Sequence, residues 1–137
     1  MKILGIGVDI VENKRIQKSI KNVLFIKRIY TSKELKQSKG VVNKVGYFSK
    51  RFAAKEAFSK ALGTGLRMNL NFKDIEVMND KMGKPYYVKN IKISKIIKKT
   101  FKIFDFKVLL YDFCNFFIFN VIRLSLFVID NFYIFKI

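Results

Sequence analysis

Two carboxylates stand out as residues that could do chemistry: Asp9, at the end of a short glycine-containing run, and Glu56, in a lysine-bearing segment where Lys60 follows one helical turn later. A carboxylate at a strand end and another on a helix with lysines suit a hard cation and phosphate groups together, because magnesium takes one or two carboxylates and fills its shell with water and phosphate oxygens. With 46 residues between them, Asp9 and Glu56 are equally compatible with two unrelated surface groups. The chain has no histidine, which removes Ser-His and Cys-His catalysis and leaves carboxylate, lysine, tyrosine or water as proton acceptors. One cysteine, Cys114, allows neither an internal disulfide nor the usual zinc cage, so a reducing, cytoplasmic setting is expected.

Positioning these groups requires ordered elements. Residues 3–11 predict a strand with Leu4, Ile6, Val8 and Ile10 on one face and Gly5, Gly7 and Asp9 on the other. The nearly bare second face admits a close backbone or ligand. From Glu12 to about Ile29, Ile16, Ile20, Val23 and Leu24 follow helical spacing, and Lys14, Lys18, Lys21 and Arg28 form another stripe, either a solvated face or a docking surface for an acidic partner. Thr31-Ser32-Lys33-Glu34 has the form of a capping box opening a helix that Gly40 would stop. The segment from Tyr47 to Leu62 is rich in helix formers, with Ala54, Phe58, Ala61 and Leu62 facing a core and Gly63-Thr64-Gly65 ending it. Phe72 to Met78 predicts a strand, residues 79–85 a turn presenting Lys84 before the only proline, Pro85, and Tyr86 to Val88 the returning strand.

At 137 residues the chain fits one domain. Its formal net charge of +18 lies entirely in residues 1–104, and residues 105–137 hold eight of the fifteen phenylalanines. Such a field attracts anionic partners, though AT-rich codons also enrich Lys, Ile, Asn, Phe and Tyr. A basic RNA-binding or ribosome-associated protein is one alternative, and attachment to an anionic membrane surface through the apolar end and Lys98-Lys99 is another. Asp112, Asn115, Asn120, Arg123 and Asp130 interrupt the apolar end before any run reaches a membrane span, and the opening turns acidic at Asp9 and Glu12 too early for a secretory leader.

Four ordered blocks then carry a resemblance. Gly5 to Glu12 followed by Arg15-Ile16, Arg51 to Gly65, Phe72 to Val77, and Gly83-Lys84-Pro85-Tyr86 resemble the motifs of the holo-acyl-carrier-protein synthase family over about residues 3–90. The resemblance implies an α+β fold of the 4'-phosphopantetheinyl transferase type, an antiparallel sheet packed with helices, forming a homotrimer with active sites between subunits. It implies that 4'-phosphopantetheine moves from coenzyme A to a serine of apo acyl carrier protein, for fatty acid biosynthesis, with magnesium and without nucleic acid. By matching position, Asp9 and Glu56 would be the catalytic metal ligands. Arg51, Lys60, Gly63 and Gly65 would lie beside the coenzyme A phosphates, Lys84 and Pro85 in the hairpin lining that pocket, and Arg15 against the acidic carrier protein.

The ending departs from the family. A Ser-Ile-Ser-His-like strand and an alanine-rich strand are expected there, whereas Phe106 to Leu110 resembles only the approach to the first. The expected organisation is therefore a transferase domain over 1–110 and a divergent or frameshifted apolar tail over 111–137.

Overall fold

The computed structural model describes residues 5–66 and 69–101, and the backbone of 132–136. Its elements run β1 (Ile6–Ile10), α1 (Asn13–Ser19), α2 (Val23–Ile29), α3 (Ser32–Ser38), α4 (Lys44–Ala61), a 3-10 turn (Phe72–Asp74), β2 (Val77–Asn79), β3 (Pro85–Tyr87), α5 (Ile91–Phe101) and β4 (Phe132–Lys136). The strands form two antiparallel pairs, β1 with β4 and β2 with β3, so the α+β expectation is met. Phe106 to Leu110 and the boundary at residue 110 lie outside the described residues.

Helix α4 is the axis of the fold. Asn43 starts it, its Oδ1 accepting the Gly46 amide at 2.8 Å, and Gly63 ends it at a φ of 69°. Most of its circumference is buried, so two apolar clusters share it. Ala57, Phe58, Ala61 and Leu62 pack with Ile75, Ile93 and Ile97, while Tyr47, Phe48 and Ala53 pack with Val11, Ile16, Ile29 and Tyr30.

Strand β1 lies directly on α4. A Cβ at Gly5 would overlap the carbonyl oxygen of Ala61, and one at Gly7 that of Ala57. The match is geometric: four helical residues rise about 6 Å, and two strand residues about 6.6 Å. Two glycines two apart therefore seat on two alanines one turn apart. The predicted alternation is observed, with the glycine face packed and the apolar face outward, leaving Ile6 59% and Ile10 56% exposed.

Two expectations need correction, and one helix was unforeseen. The helix predicted from Glu12 to Ile29 is broken between Ser19 and Val23, because Asn22 turns its Oδ1 onto the amides of Leu24 and Phe25 and caps a new helix. The break resets the helical phase, so Val23 and Leu24, expected on the buried stripe, are exposed, and Ile29 is buried instead. The strand predicted from Phe72 begins only at Val77, since Asp74 Oδ2 accepts the Asn71 amide at 2.8 Å and tightens the chain into a 3-10 turn. The helix over residues 91–101 was not anticipated, although Ile93, Ile96 and Ile97 are buried at helical spacing and Asn90 Oδ1 accepts the Lys92 amide at 2.8 Å.

The box at Thr31 forms as predicted. Thr31 Oγ1 accepts the Glu34 amide at 3.2 Å and Glu34 Oε2 accepts the Thr31 amide at 2.7 Å. Glu34 does more than cap. It also accepts from the buried Lys55 Nζ at 2.8 Å and, through Oε1, from the Val77 amide at 2.9 Å, joining α3, α4 and β2. Lys55 completes its shell with the carbonyls of Ile29 and Phe72. Burial pushes the Lys55 ammonium below its ordinary pKa and the Glu34 carboxylate opposes that shift.

Candidate active site

Asp9 is the first side chain on the glycine face of β1, so it meets α4 as soon as the backbones separate. Its Oδ1 accepts a 2.6 Å hydrogen bond from Lys60 Nζ, which also donates to the Val8 carbonyl at 3.2 Å. Asp9 keeps 13% of its side-chain surface in solvent and Lys60 keeps 52%. The carboxylate is therefore sheltered while its partner reaches in from outside.

Glu56 stands one helical turn before Lys60 and is half-buried. Its carboxyl is raised above the ordinary pKa, first by loss of water and then by the negative charge of Asp9, with Lys60 and Arg15 pulling the other way. Asp9, Lys60 and Arg15 thus each act electrostatically on Glu56, although Asp9 and Glu56 are far apart in sequence. Arg15 reaches this group from the exposed side of α1. Among the described residues no three His, Cys, Asp or Glu side chains cluster. The two carboxylates, with hard oxygens and a mutual repulsion that a cation would relieve, fit magnesium, which completes its shell from water and phosphate.

Gly63 and Gly65, beyond the end of α4, have φ values of 69° and 57°, and an added Cβ at either would meet nothing within 4 Å. They leave open space next to the Lys60 turn, and their conformation is one that other residues adopt only with strain.

Arg51 is placed elsewhere. Nine residues of α4, a rise of roughly 13 Å, separate it from Lys60. Its guanidinium lies 3.3 Å from the centroid of the Tyr47 ring. Nη2 donates to Asn79 Oδ1 at 2.7 Å and to Gln37 Oε1 at 2.8 Å. Only 3% of Arg51 is exposed, yet it lines a cleft of 570 Å³ shared with Asn13, Gln37, Lys50, Asn79 and Gly83. Asn13 Oδ1 is buried without a hydrogen-bond partner among the described residues, so one acceptor in this wall is unused. Lys84 and Pro85 adjoin the same wall: Asp80 Oδ1 accepts the Met82 and Lys84 amides, Gly83 takes a φ of 81°, and Asn79 Nδ2 holds the Gly83 carbonyl at 2.6 Å.

The single chain therefore makes two groups of the predicted residues. Asp9, Glu56, Lys60 and Arg15 come together at β1, α1 and the second half of α4, while Arg51, Lys84 and Pro85 gather around the β2–β3 hairpin. Sequence reasoning missed Gln37, Asn79 and Asn13, which line the second site. Uncharged amides are common on surfaces, and only the fold reveals which ones converge.

The sequence model of the 4'-phosphopantetheinyl transferase superfamily matches residues 5–110. A holo-[acyl-carrier-protein] synthase of Pelagibacter ubique is 67% identical over 106 residues, covering 77% of this chain and 83% of that protein. Among solved structures, the holo-[acyl-carrier-protein] synthase of Neisseria meningitidis superposes with a TM-score of 0.65 at 42% identity, covering 72% of this chain and 80% of that one. The synthase of Bacillus anthracis in complex with coenzyme A (3',5'-ADP) gives 0.59 at 44% identity, covering 64% and 76%. A sequence and a fold shared with these proteins place the chain in the 4'-phosphopantetheinyl transferase superfamily.

Proposed function

We propose that the chain is a holo-[acyl-carrier-protein] synthase, transferring 4'-phosphopantetheine from coenzyme A to a serine of apo acyl carrier protein and releasing 3',5'-ADP, in service of fatty acid biosynthesis in the cytoplasm. The observation that carries this reading is the convergence of Asp9, Glu56 and Lys60 in a chain with these relatives. The serine oxygen bonds to the phosphorus on the pantetheine side, the pyrophosphate P–O bond breaks, and 3',5'-ADP carries away the electron pair. The serine proton passes to a nearby carboxylate or to water.

Transfer of this kind demands aligned reactants and neutralised charge more than an unusual side chain, so the lack of histidine is no obstacle. Asp9 and Glu56 would hold Mg2+, which supplies charge neutralisation at the pyrophosphate. Lys60, half exposed beside Asp9, turns its ammonium from the carboxylate to a phosphate oxygen when coenzyme A binds. The open backbone at Gly63 and Gly65 lets the ligand approach closely. Arg51, with Lys84 and Pro85 on the adjoining hairpin, receives the remaining anionic groups. Arg15, exposed on a helix bearing Lys14 and Lys18, faces the acidic carrier protein.

Assembly as a homotrimer accounts for two features of the single chain. The outward Ile6, Val8 and Ile10 form an apolar strip on β1 that a second copy would cover. Active sites between subunits would bring the Arg51 group of one chain to the Asp9 group of its neighbour.

Purified chain incubated with apo acyl carrier protein, coenzyme A and Mg2+ should add the mass of one phosphopantetheine to the carrier. Asp9→Ala and Glu56→Ala should abolish the gain while the circular dichroism spectrum stays largely unchanged. Undiminished turnover in both variants removes these carboxylates from the site. No gain with the native chain, but gain after a family-like C-terminal ending is restored, assigns the defect to the tail over 111–137.

A further inference from the structure

Helix α3 makes contacts that the assignments above leave unused, and they converge on one side chain. Gln37 engages the walls of the cleft with both ends of its amide. Its Oε1 accepts from Arg51 Nη2 at 2.8 Å and from the Asn79 amide at 3.1 Å, with the Tyr47 hydroxyl, which donates to the Glu34 carbonyl at 2.7 Å, lying 3.4 Å away. Its Nε2 donates to the Asn79 carbonyl at 2.8 Å. Gln37 thus pairs with both backbone groups of Asn79, as a neighbouring strand would, on a residue whose Cα partner within the hairpin is Pro85.

The contacts link further groups. Asn79 continues through its own amide to Arg51 and to the Gly83 carbonyl, next to Lys84. One glutamine therefore ties α4, which carries Arg51, to the turn that carries Lys84. Both amides contacting Arg51 Nη2 are neutral, so they aim the guanidinium without cancelling its charge, which a carboxylate at either position would do.

We propose that Gln37 is a positioning residue for the nucleotide half of coenzyme A, holding the Arg51 guanidinium and the Lys84 turn in one fixed relation. The proposal rests on the reading that Arg51 and Lys84 receive anionic groups of that ligand. Gln37 acts through them and need not touch the ligand.

The test uses the full chain and calorimetric titration with 3',5'-ADP. Gln37→Met keeps the length and removes every hydrogen bond of the amide. Gln37→Glu keeps the shape, removes the donor to Asn79 and sets a negative charge on Arg51. Loss of a hydrogen bond to a charged group is worth about tenfold in affinity. Gln37→Met should accordingly bind 3',5'-ADP about tenfold more weakly, and Gln37→Glu more weakly still. In turnover the KM for coenzyme A should rise in step with the KM for apo carrier protein unmoved, a split that general loosening of the fold does not produce.

Wild-type affinity in Gln37→Glu alongside weakened binding in Arg51→Gln overturns the role of Gln37 and leaves the reading of Arg51 intact. Wild-type affinity in Arg51→Gln overturns both. Equal rises in the two KM values also overturn the proposal, because they mark a structural role only.

Discussion

Substituting Gly7 by alanine tests whether the β1–α4 seat sets the geometry of the carboxylate pair. The added Cβ would overlap the Ala57 carbonyl oxygen and stand 2.5 Å from the Ala61 nitrogen and 3.0 Å from the Ala57 carbonyl carbon, where ordinary contact begins at 3.4 Å. Those atoms belong to the backbone of a buried helix and cannot swing aside. The strand must retreat by about 1 Å, a scale on which misplacement costs roughly 10²-fold in rate. Asp9, two residues along the same face, moves with it, away from Glu56. Overpacking of this kind costs about 1–3 kcal/mol, which for a domain of this size lowers Tm by roughly 4–12 °C. The expected outcome is a folded protein with a lowered melting temperature and a rate of holo-carrier formation, followed by intact mass, reduced about a hundredfold. Gly40→Ala is the control, because nothing lies within 4 Å of its added Cβ. A Gly7→Ala protein that matches wild type in both rate and melting temperature would refute the claim that the glycine seat sets the distance between the carboxylates.

Further predictions concern charge, assembly and capping. Because the folded-state pKa of Glu56 is raised, folding draws support from its protonated form below the unfolded value, near pH 4, and loses that support as pH rises through the folded value. Metal-free Glu56→Gln should therefore melt above wild type at pH 7, with the gap closing toward pH 4, and added Mg2+ should raise the melting temperature of wild type but not of this variant. Val8→Arg, on the exposed face of β1, should shift the protein to a smaller species in sedimentation. Lys55→Met should cost about 3–5 kcal/mol in urea unfolding by stranding buried Glu34, and Glu34→Leu, which strands Lys55 and also removes the acceptor of the Thr31 and Val77 amides, should cost at least as much. Thr31→Ala should cost about 1 kcal/mol through the lost cap.

Much of this was legible in the chain because short-range chemistry decides it. The Thr31–Glu34 box, the long helix through Glu56 and the turn before Pro85 are each specified by residues within a few positions. That Asp9 ends a strand and Glu56 lies on a helix was legible from the glycines beside one and the helix formers around the other, whereas their spacing left open whether the two meet. Less legible were the places where a polar side chain competes with regular structure. Asn22 divides a run whose apolar spacing is continuous, and Asp74 bends a segment of strand-forming composition. The arrangement around Arg51 was hidden for a different reason. Gln37 and Asn79 are 42 positions apart, and nothing in either residue type announces that they will share one guanidinium.

The buried Lys55–Glu34 pair bears on how this sequence can drift. Each residue alone is held by the other: an uncharged side chain at either position strands a charge with no access to water, and an apolar pair at both takes their side-chain partners from the Thr31 and Val77 amides and the Ile29 and Phe72 carbonyls. The two sites are therefore separated from their alternatives by a valley that neither a single substitution nor an apolar double change crosses cheaply. Lys55 also adjoins Glu56 in the chain, so a failed crossing would disturb the turn of α4 that presents a proposed metal ligand. Tolerance to mutation in this protein should accordingly be lowest where packing and reactivity share one helical turn, and greater along the solvent-facing lysines of α5.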